Sequence, residues 1–209
     1  TVLNTSAVKE GNHYLINGTK TFISNGRLAD FAIVLCQTDP LAKPTYRGQS
    51  TLIVGKGSAG FDVTELGEKM GIKMTSTTEM SFDQVRVPEE NLVGGLHRGF
   101  YQVLEFFDES RVMVAAQGLG IAQGAFDRAL EYAKGREQFG QRLVEFQVTQ
   151  HKLADMATQI EAARCLVYKA GWNFDQGRID PKLTSMAKMV AGRVAVEVAQ
   201  EAIQIHGGY

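Results

Sequence analysis

Between Gly135 and Arg142 the chain reads Gly135-Arg136-Glu137-Gln138-Phe139-Gly140-Gln141-Arg142, which sets guanidinium groups, amides and an aromatic ring side by side. Arginine presents a planar fork of donors that suits phosphate oxygens, and a neighbouring ring can cover a flat heterocycle. A solvated loop that is merely charged would use the same residues, and the loop alone leaves both readings open. A second polar group, Asp108-Glu109-Ser110-Arg111, interrupts an apolar helical run. Asp108 and Arg111 are three apart and share a helix face, as the lining of a cleft or as a plain surface ion pair. A third, Gln204-Ile205-His206-Gly207-Gly208, puts an amide and two glycines at a helix end. Backbone there can approach a ligand closely, or the glycines simply end the helix.

Other spacings lead away from chemistry. Gly55-Lys56-Gly57-Ser58-Ala59-Gly60 matches the dinucleotide fingerprint G-x-G-x-x-G. That fingerprint needs a helix to open at its last glycine, and Phe61-Asp62-Val63-Thr64-Glu65-Leu66 alternates like a strand, so a loop between two strands is expected instead. The histidines at 13, 97, 151 and 206 are scattered and no Cys-x-x-Cys occurs, which argues against a zinc site or other metal. His151 and Asp155, one helical turn apart, read as a hydrogen-bonded surface pair. No hydrolase triad is legible.

The elements that must hold these groups follow from the apolar period. Tyr14-Leu15-Ile16, the turn Asn17-Gly18 and Thr19 to Ile23 read as a β-hairpin. Further strands are expected at 31–36, 51–54, 61–66 and 79–87, where Pro88 ends the run. From about Arg98 the period becomes helical. One stripe runs Phe100, Val103, Leu104, Phe107, Val114, Leu119, Ala122, Phe126, Leu130, and a second Leu153, Met156, Ile160, Ala163, Val167, Ala170, Phe174. A third helix opens with Asp180 as N-cap and Pro181 in its first turn, carries Leu183, Ala187, Val190, Val194, Val198, Ala202 and Ile205, and stops at Gly207-Gly208. Strands followed by helices give an α+β chain: an antiparallel β-barrel or sandwich-like domain over 1–95, then an antiparallel helical-bundle domain over 96–209.

Composition sets the outer bounds. A 44% hydrophobic content in 209 residues supports real cores, and a net charge of −1 argues against a nucleic-acid footprint. No apolar run is long enough to cross a bilayer, and Thr1-Val2-Leu3-Asn4 has no signal-peptide layout, so a soluble protein is expected. Cys36 and Cys165 read as buried thiols of a reducing compartment. Three helices leave one side of a bundle uncovered, which a missing helix or a partner chain should close. A start so near the first strand and an end directly after a helix stop suggest a piece of something larger.

Taken together, Arg136 to Gly140, Glu145-Phe146-Gln147 and Gln204 to Gly208 resemble the acyl-CoA dehydrogenase family, as do Phe22-Ile23-Ser24-Asn25-Gly26 and Phe82-Asp83-Gln84-Val85-Arg86-Val87-Pro88. The match runs in order over the whole chain. It implies the family's middle β domain and most of its C-terminal helical domain, without the N-terminal helical domain and the last helices. It implies an FAD flavoprotein that desaturates acyl-CoA thioesters, passes electrons to an electron-transferring flavoprotein, and works in bacterial cytoplasm or the mitochondrial matrix. Phe22, Ile23 and Ser24 match the family's tryptophan-isoleucine-threonine stretch along the isoalloxazine, with Ser24 as the hydroxyl near N5 and Phe22 as the flat wall. Arg136, Gln138, Phe139, Phe146, Gln147 and Gln204, Ile205, His206, Gly207, Gly208 match segments that reach the FAD of a neighbouring subunit, hence a homo-oligomer, a dimer of dimers. Asp108 and Arg111 match the D-x-x-R at the CoA adenine end.

Two departures bear on that resemblance. Where a branch of the family carries its catalytic glutamate this chain has Ser110, and a serine is no base at neutral pH. Glu109 lies about 100° round the helix. The base is expected beyond Tyr209, and the chain on its own should be inactive. Lys73-Met74-Thr75-Ser76-Thr77 also differs from the usual arginine before serine-x-threonine. A flavin oxidase or monooxygenase of the same fold, and a non-catalytic assembly module, are the rival readings.

Overall fold

A computed structural model of the chain describes residues 3–209; Thr1 and Val2, where the expected β domain begins, lie outside them. The chain forms two compact units, one up to Leu104 and one from Glu105 to Tyr209. The first unit carries a single six-stranded sheet: β1 (Ser6–Glu10), β2 (His13–Ser24), β3 (Phe31–Gln37), β4 (Gln49–Gly55), β5 (Phe61–Glu65) and β6 (Thr77–Pro88). Its order is β4-β3-β1-β2-β6-β5. All pairings are antiparallel except β1 with β3, which meet in parallel at Ser6 and Gln37. The expected sheet was antiparallel throughout; the parallel contact arises because β1, which was not foreseen, pairs along its whole length with β2 and meets β3 only at Ser6. One buried cluster draws Val34, Cys36, Leu52 and Val54 from one side of the sheet and Met80, Phe82, Val85 and Val87 from the other. The sheet therefore curls over one core, while β4 and β5 remain as edges, which is the sandwich-like and not the closed-barrel form.

The hairpin expected at Asn17-Gly18 is not there. The turn lies at Gly11-Asn12, between Glu10 and its partner His13, with Gly11 at φ 61°. Gly at a positive φ in the first of two turn positions suits a type II′ hairpin. Asn17-Gly18 instead serves an irregularity inside β2: between the pairs Ile16–Val85 and Gly18–Phe82, β6 holds one residue more than β2. Asn17 Oδ1 accepts from the backbone N–H and the side-chain amide of Gln84, at 2.9 and 3.0 Å. Gly18 has φ 133°, and a Cβ there would lie 2.7 Å from the Cα of Thr5, so glycine serves close backbone approach. The loop after β4 behaves as expected, since β5 opens at Phe61 and no helix follows the glycines.

The second unit contains most of α1 (Gly99–Gly135), with α2 (Gln147–Asp175) and α3 (Pro181–His206). Asp180 caps α3, its Oδ1 accepting from Lys182 and Leu183 N–H at 3.0 and 3.2 Å, and Gly207 closes it at φ 70°. The α2 and α3 stripes lie in the core as expected, apart from Phe174, which is exposed, and Val190, which is half-buried. The α1 stripe is partly wrong: Leu104, Phe107 and Val114 are exposed, and the buried face is Ala115, Leu119, Ala122, Ala129 and Ala133. Small side chains let helix backbones approach, so the large residues are displaced from the contact. Cys165 is exposed, against expectation, whereas Cys36 is fully buried. Among the described residues no helix is long and apolar enough to cross a membrane.

Burial pushes the Cys36 thiol up to about 12 from its ordinary 9.0. The folded state then keeps a proton that the unfolded chain releases, so this contribution is complete below about pH 9 and is lost as pH rises toward about 12. Urea midpoints should fall more steeply between about pH 9 and 11 in the parent than in Cys36→Ala. Native iodoacetamide labelling should modify Cys165 and spare Cys36.

Candidate functional site

The Arg136 loop is a two-stranded hairpin, β7 (Glu137–Gln138) and β8 (Gln141–Arg142). Phe139 at φ 55° and Gly140 at φ 81° form its tip, the pair of positive angles that a type I′ turn requires. A phenylalanine in that region is strained, and its ring is 94% exposed. Folding alone gives no reason to hold a bare aromatic ring there. The hairpin is tied at its base: Arg136 N–H donates to Tyr132 O at 2.8 Å and Leu143 N–H to Arg136 O at 2.9 Å. Arg142 N–H donates to Glu145 Oε2 at 2.8 Å, Phe146 N-caps α2, and Gln147 begins that helix with its side chain exposed. Gln138 turns its amide back onto Glu137 O at 2.7 Å.

The end of α3 meets this hairpin. The Arg136 guanidinium lies over the ring of Tyr209, 5.4 Å from its centroid, and makes no ion pair or side-chain hydrogen bond among the described residues. Tyr132 stacks on His206 with centroids 4.5 Å apart. Gln204, Gly207 and Gly208 are exposed, while Ile205 points into the helical core. Segments more than seventy positions apart thus converge on one end of the helical unit. Tyr132 and Tyr209 were not singled out in the sequence; the only local signal was Tyr132 standing four residues before Arg136.

Asp108 and Arg111 form the expected i,i+3 ion pair, both half-buried. Ser110 lies beside them, its hydroxyl making a long 3.4 Å contact to Phe107 O, and Glu109 is exposed. His151 and Asp155 are exposed and make no hydrogen bond to each other, because both point to solvent. No group of three metal-ligating side chains exists among the described residues.

In the sheet unit, Phe22, Ile23 and Ser24 follow a second irregularity. Between the pairs Lys20–Met80 and Ile23–Thr78, Thr21 and Phe22 oppose the single Glu79. Phe22 takes φ 61° and stands 79% exposed. Such a bulge re-aims side chains at functional edges. Ser24 is exposed, while Ile23 O accepts from the Thr78 hydroxyl at 3.1 Å. Ile23 and Ser24 also line an open cleft of 310 Å³ with Lys20, Phe31 and Met80. Burial lowers the Lys20 ammonium from its ordinary value, the nearby Cys36 opposing that shift.

Both units thus present exposed aromatic rings on left-handed backbone beside hydroxyl, amide and guanidinium donors, a set suited to flat rings and anionic oxygens. Comparison with known proteins identifies the scaffold. A sequence model of the acyl-CoA dehydrogenase middle domain matches residues 1–85, and one of the acyl-CoA dehydrogenase C-terminal domain matches residues 97–209. The chain belongs to the acyl-CoA dehydrogenase family.

Its relatives include a cyclohexane-1-carbonyl-CoA dehydrogenase of Geobacter metallireducens, 42% identical over 207 residues, 99% of this chain and 54% of that protein. The CarC subunit of the caffeyl-CoA reductase-Etf complex of Acetobacterium woodii is likewise 42% identical, with 99% and 54% covered. The solved butyryl-CoA dehydrogenase of Megasphaera elsdenii superposes with a TM-score of 0.94 at 43% identity, covering 99% of this chain and 54% of that one. The chain spans about half the length of the curated relatives it matches.

The strain at the hairpin tip is open to test. Phe139→Asn turns the tip into Asn-Gly, which tolerates both positive angles, and should stabilise the protein by about 1 kcal/mol in chemical denaturation.

Proposed function

We propose that the whole protein is an FAD-dependent acyl-CoA dehydrogenase that removes hydrogen across the α,β bond of an acyl-CoA thioester and hands the electrons to an electron-transferring flavoprotein. The observation that carries this reading is the convergence of Arg136 with His206 and Tyr209, since it assembles the two helical segments of the family resemblance at one place. Membership of an Etf-linked reductase subunit among the relatives supports the acceptor. In this reading residues 1–95 act as the middle domain and 96–209 as part of the C-terminal helical domain. The residues present fit the cofactor, because a guanidinium free of carboxylates suits its phosphates and exposed rings suit its flat systems.

FAD, when bound, supplies the hydride acceptor that no side chain can be. Arg136 and Gln138 donate toward its phosphates and Phe139 covers an apolar face, with Phe146, Gln147 and the run Gln204 to Gly208 completing that end. These groups reach a cofactor held mainly by a neighbouring subunit, which makes the protein a homo-oligomer, a dimer of dimers. Phe22 and Ile23 form a wall along the flavin ring, and the Ser24 hydroxyl donates at its N5 edge. Asp108 and Arg111 hold the adenine end of CoA, far from the bond that reacts. Ser110 carries no carboxylate, so the α-proton is taken by a base outside these 209 residues. A reducing compartment, bacterial cytoplasm or mitochondrial matrix, suits its two free thiols.

The direct test is the visible spectrum of the full-length protein with a panel of acyl-CoAs under anaerobic conditions. Flavin bleaching is expected, and a protein that binds no flavin would overturn the proposal. Arg136→Ala should weaken FAD retention by about 1.5–3 kcal/mol, the scale of a charge-assisted hydrogen bond, read by equilibrium flavin binding. Arg111→Ala should raise KM for acyl-CoA more than it lowers kcat, because a remote contact binds ground and transition states alike. Glu109→Gln in the full-length protein should leave kcat within about twofold, whereas removal of a true base costs about 10²–10⁴ in steady-state rate.

A further inference from the structure

Tyr132 has no part in the chemistry above, yet several interactions at the end of the helical unit pass through it. Its ring stacks on His206 at 4.5 Å with 23° between the planes, and its centroid is 6.5 Å from that of Tyr209. Its carbonyl accepts the Arg136 N–H at 2.8 Å. His206 is fixed in turn, because Ala202 O can only accept and so takes the Nδ1 proton, at 2.8 Å. The Arg136 backbone is tied to Tyr132 O and to Leu143 N–H, and its guanidinium, free of any carboxylate, is seated over Tyr209.

We propose that Tyr132 is a positioning residue that clamps the end of α1 to the end of α3, so that Arg136 and the Gly207-Gly208 backbone address one anionic cofactor together. The inference rests on the FAD reading above. Its physical content is that of an aromatic hinge pin. The stack holds two helix termini that would otherwise fray independently, and a fixed guanidinium loses less freedom on binding than a loose one. The Tyr132 hydroxyl has no hydrogen-bond partner among the described residues, so the ring alone does this work.

The experiment uses the full-length holoprotein and follows FAD release by the recovery of flavin fluorescence on dilution, with a denaturation midpoint for each variant. Tyr132→Phe should release FAD as the parent does. Tyr132→Leu should release it roughly 2–10-fold faster, the factor that an aromatic contact of about 0.5–1.5 kcal/mol represents. The double variant with Arg136→Ala should be no faster than Arg136→Ala alone, because a clamp for a missing guanidinium has nothing left to position. Fully additive effects, or a Phe variant as leaky as the Leu variant, would overturn the clamp while leaving the FAD reading intact. If Arg136→Ala itself left release unchanged, the FAD reading at this end would fail and take the clamp with it. Should Tyr132→Leu not fold, Tyr132→Met removes the same ring with a longer apolar side chain and should give the same acceleration; parent-like release would overturn the clamp.

Discussion

The closeness of α1 to α3 sets the geometry of the helical unit. A Cβ on Gly118 would lie 3.0 Å from the carbonyl oxygen of Ala191, and the buried face of α1 around it is almost all alanine. Helices in such contact cannot slide past each other without a clash, so their axial register is fixed at this point. Tyr132 comes fourteen residues after Gly118, and His206 fifteen after Ala191. At 1.5 Å per residue those lengths are about 21 and 22 Å, so the two ends finish level. The stack of Tyr132 on His206 follows from that register, and Arg136, one turn further on, is delivered to Tyr209. Small residues in the middle of the bundle therefore decide which polar groups meet at its end.

Strain is distributed in a similarly uneven way. Phe22 and Phe139 both hold left-handed angles, at 61° and 55°, and both leave a large ring in water. Each choice costs stability, and a chain selected only for folding would place glycine or asparagine there. The surrounding pairing enforces both: the bulge against Glu79 in the sheet, and the two-residue turn between Gln138 and Gln141 in the hairpin. Exposed aromatic rings at enforced angles make sense when something flat is to lie against them. That is a physical argument for a ligand, independent of any resemblance.

Local rules carried much of the fold. A continuous apolar run located β3 and alternation located β5, and the Asp180-Pro181 start and Gly207 stop of α3 are visible as side-chain chemistry within one turn. The rules failed where one local signal can serve two structures. Asn-Gly favours a hairpin turn, but here the asparagine amide and the glycine's lack of Cβ accommodate a bulge against Gln84 and the close approach of Thr5. β1 was missed because only Ala7 of its five residues is buried, too weak a pattern to register. Large apolar residues drew the α1 stripe off the true contact, which alanines make. For the site, each segment was legible by its residue types, but only the family resemblance put the Arg136 loop and the run Gln204 to Gly208 together; no local window shows it, since the register that joins Tyr132 to His206 depends on a contact at Gly118.

The same register bears on which α1 side chains can take part in acid–base chemistry. Ala115, Leu119, Ala122, Ala129 and Ala133 lock the rotation of α1 as well as its height. Successive residues are about 100° apart on that fixed cylinder. With Asp108 and Arg111 joined as an ion pair, Ser110 falls on the half-buried side near them and Glu109 is left in solvent. Bringing the Glu109 carboxylate to the Ser110 position would require the helix to turn by about one residue, dragging the alanine face out of its core. Each buried apolar side chain removed from such a core costs on the order of 1 kcal/mol or more, and several would move at once. A carboxylate in the chain one position away is thus no substitute for one in phase, and α1 is by its own packing unsuited to present Glu109 where Ser110 stands.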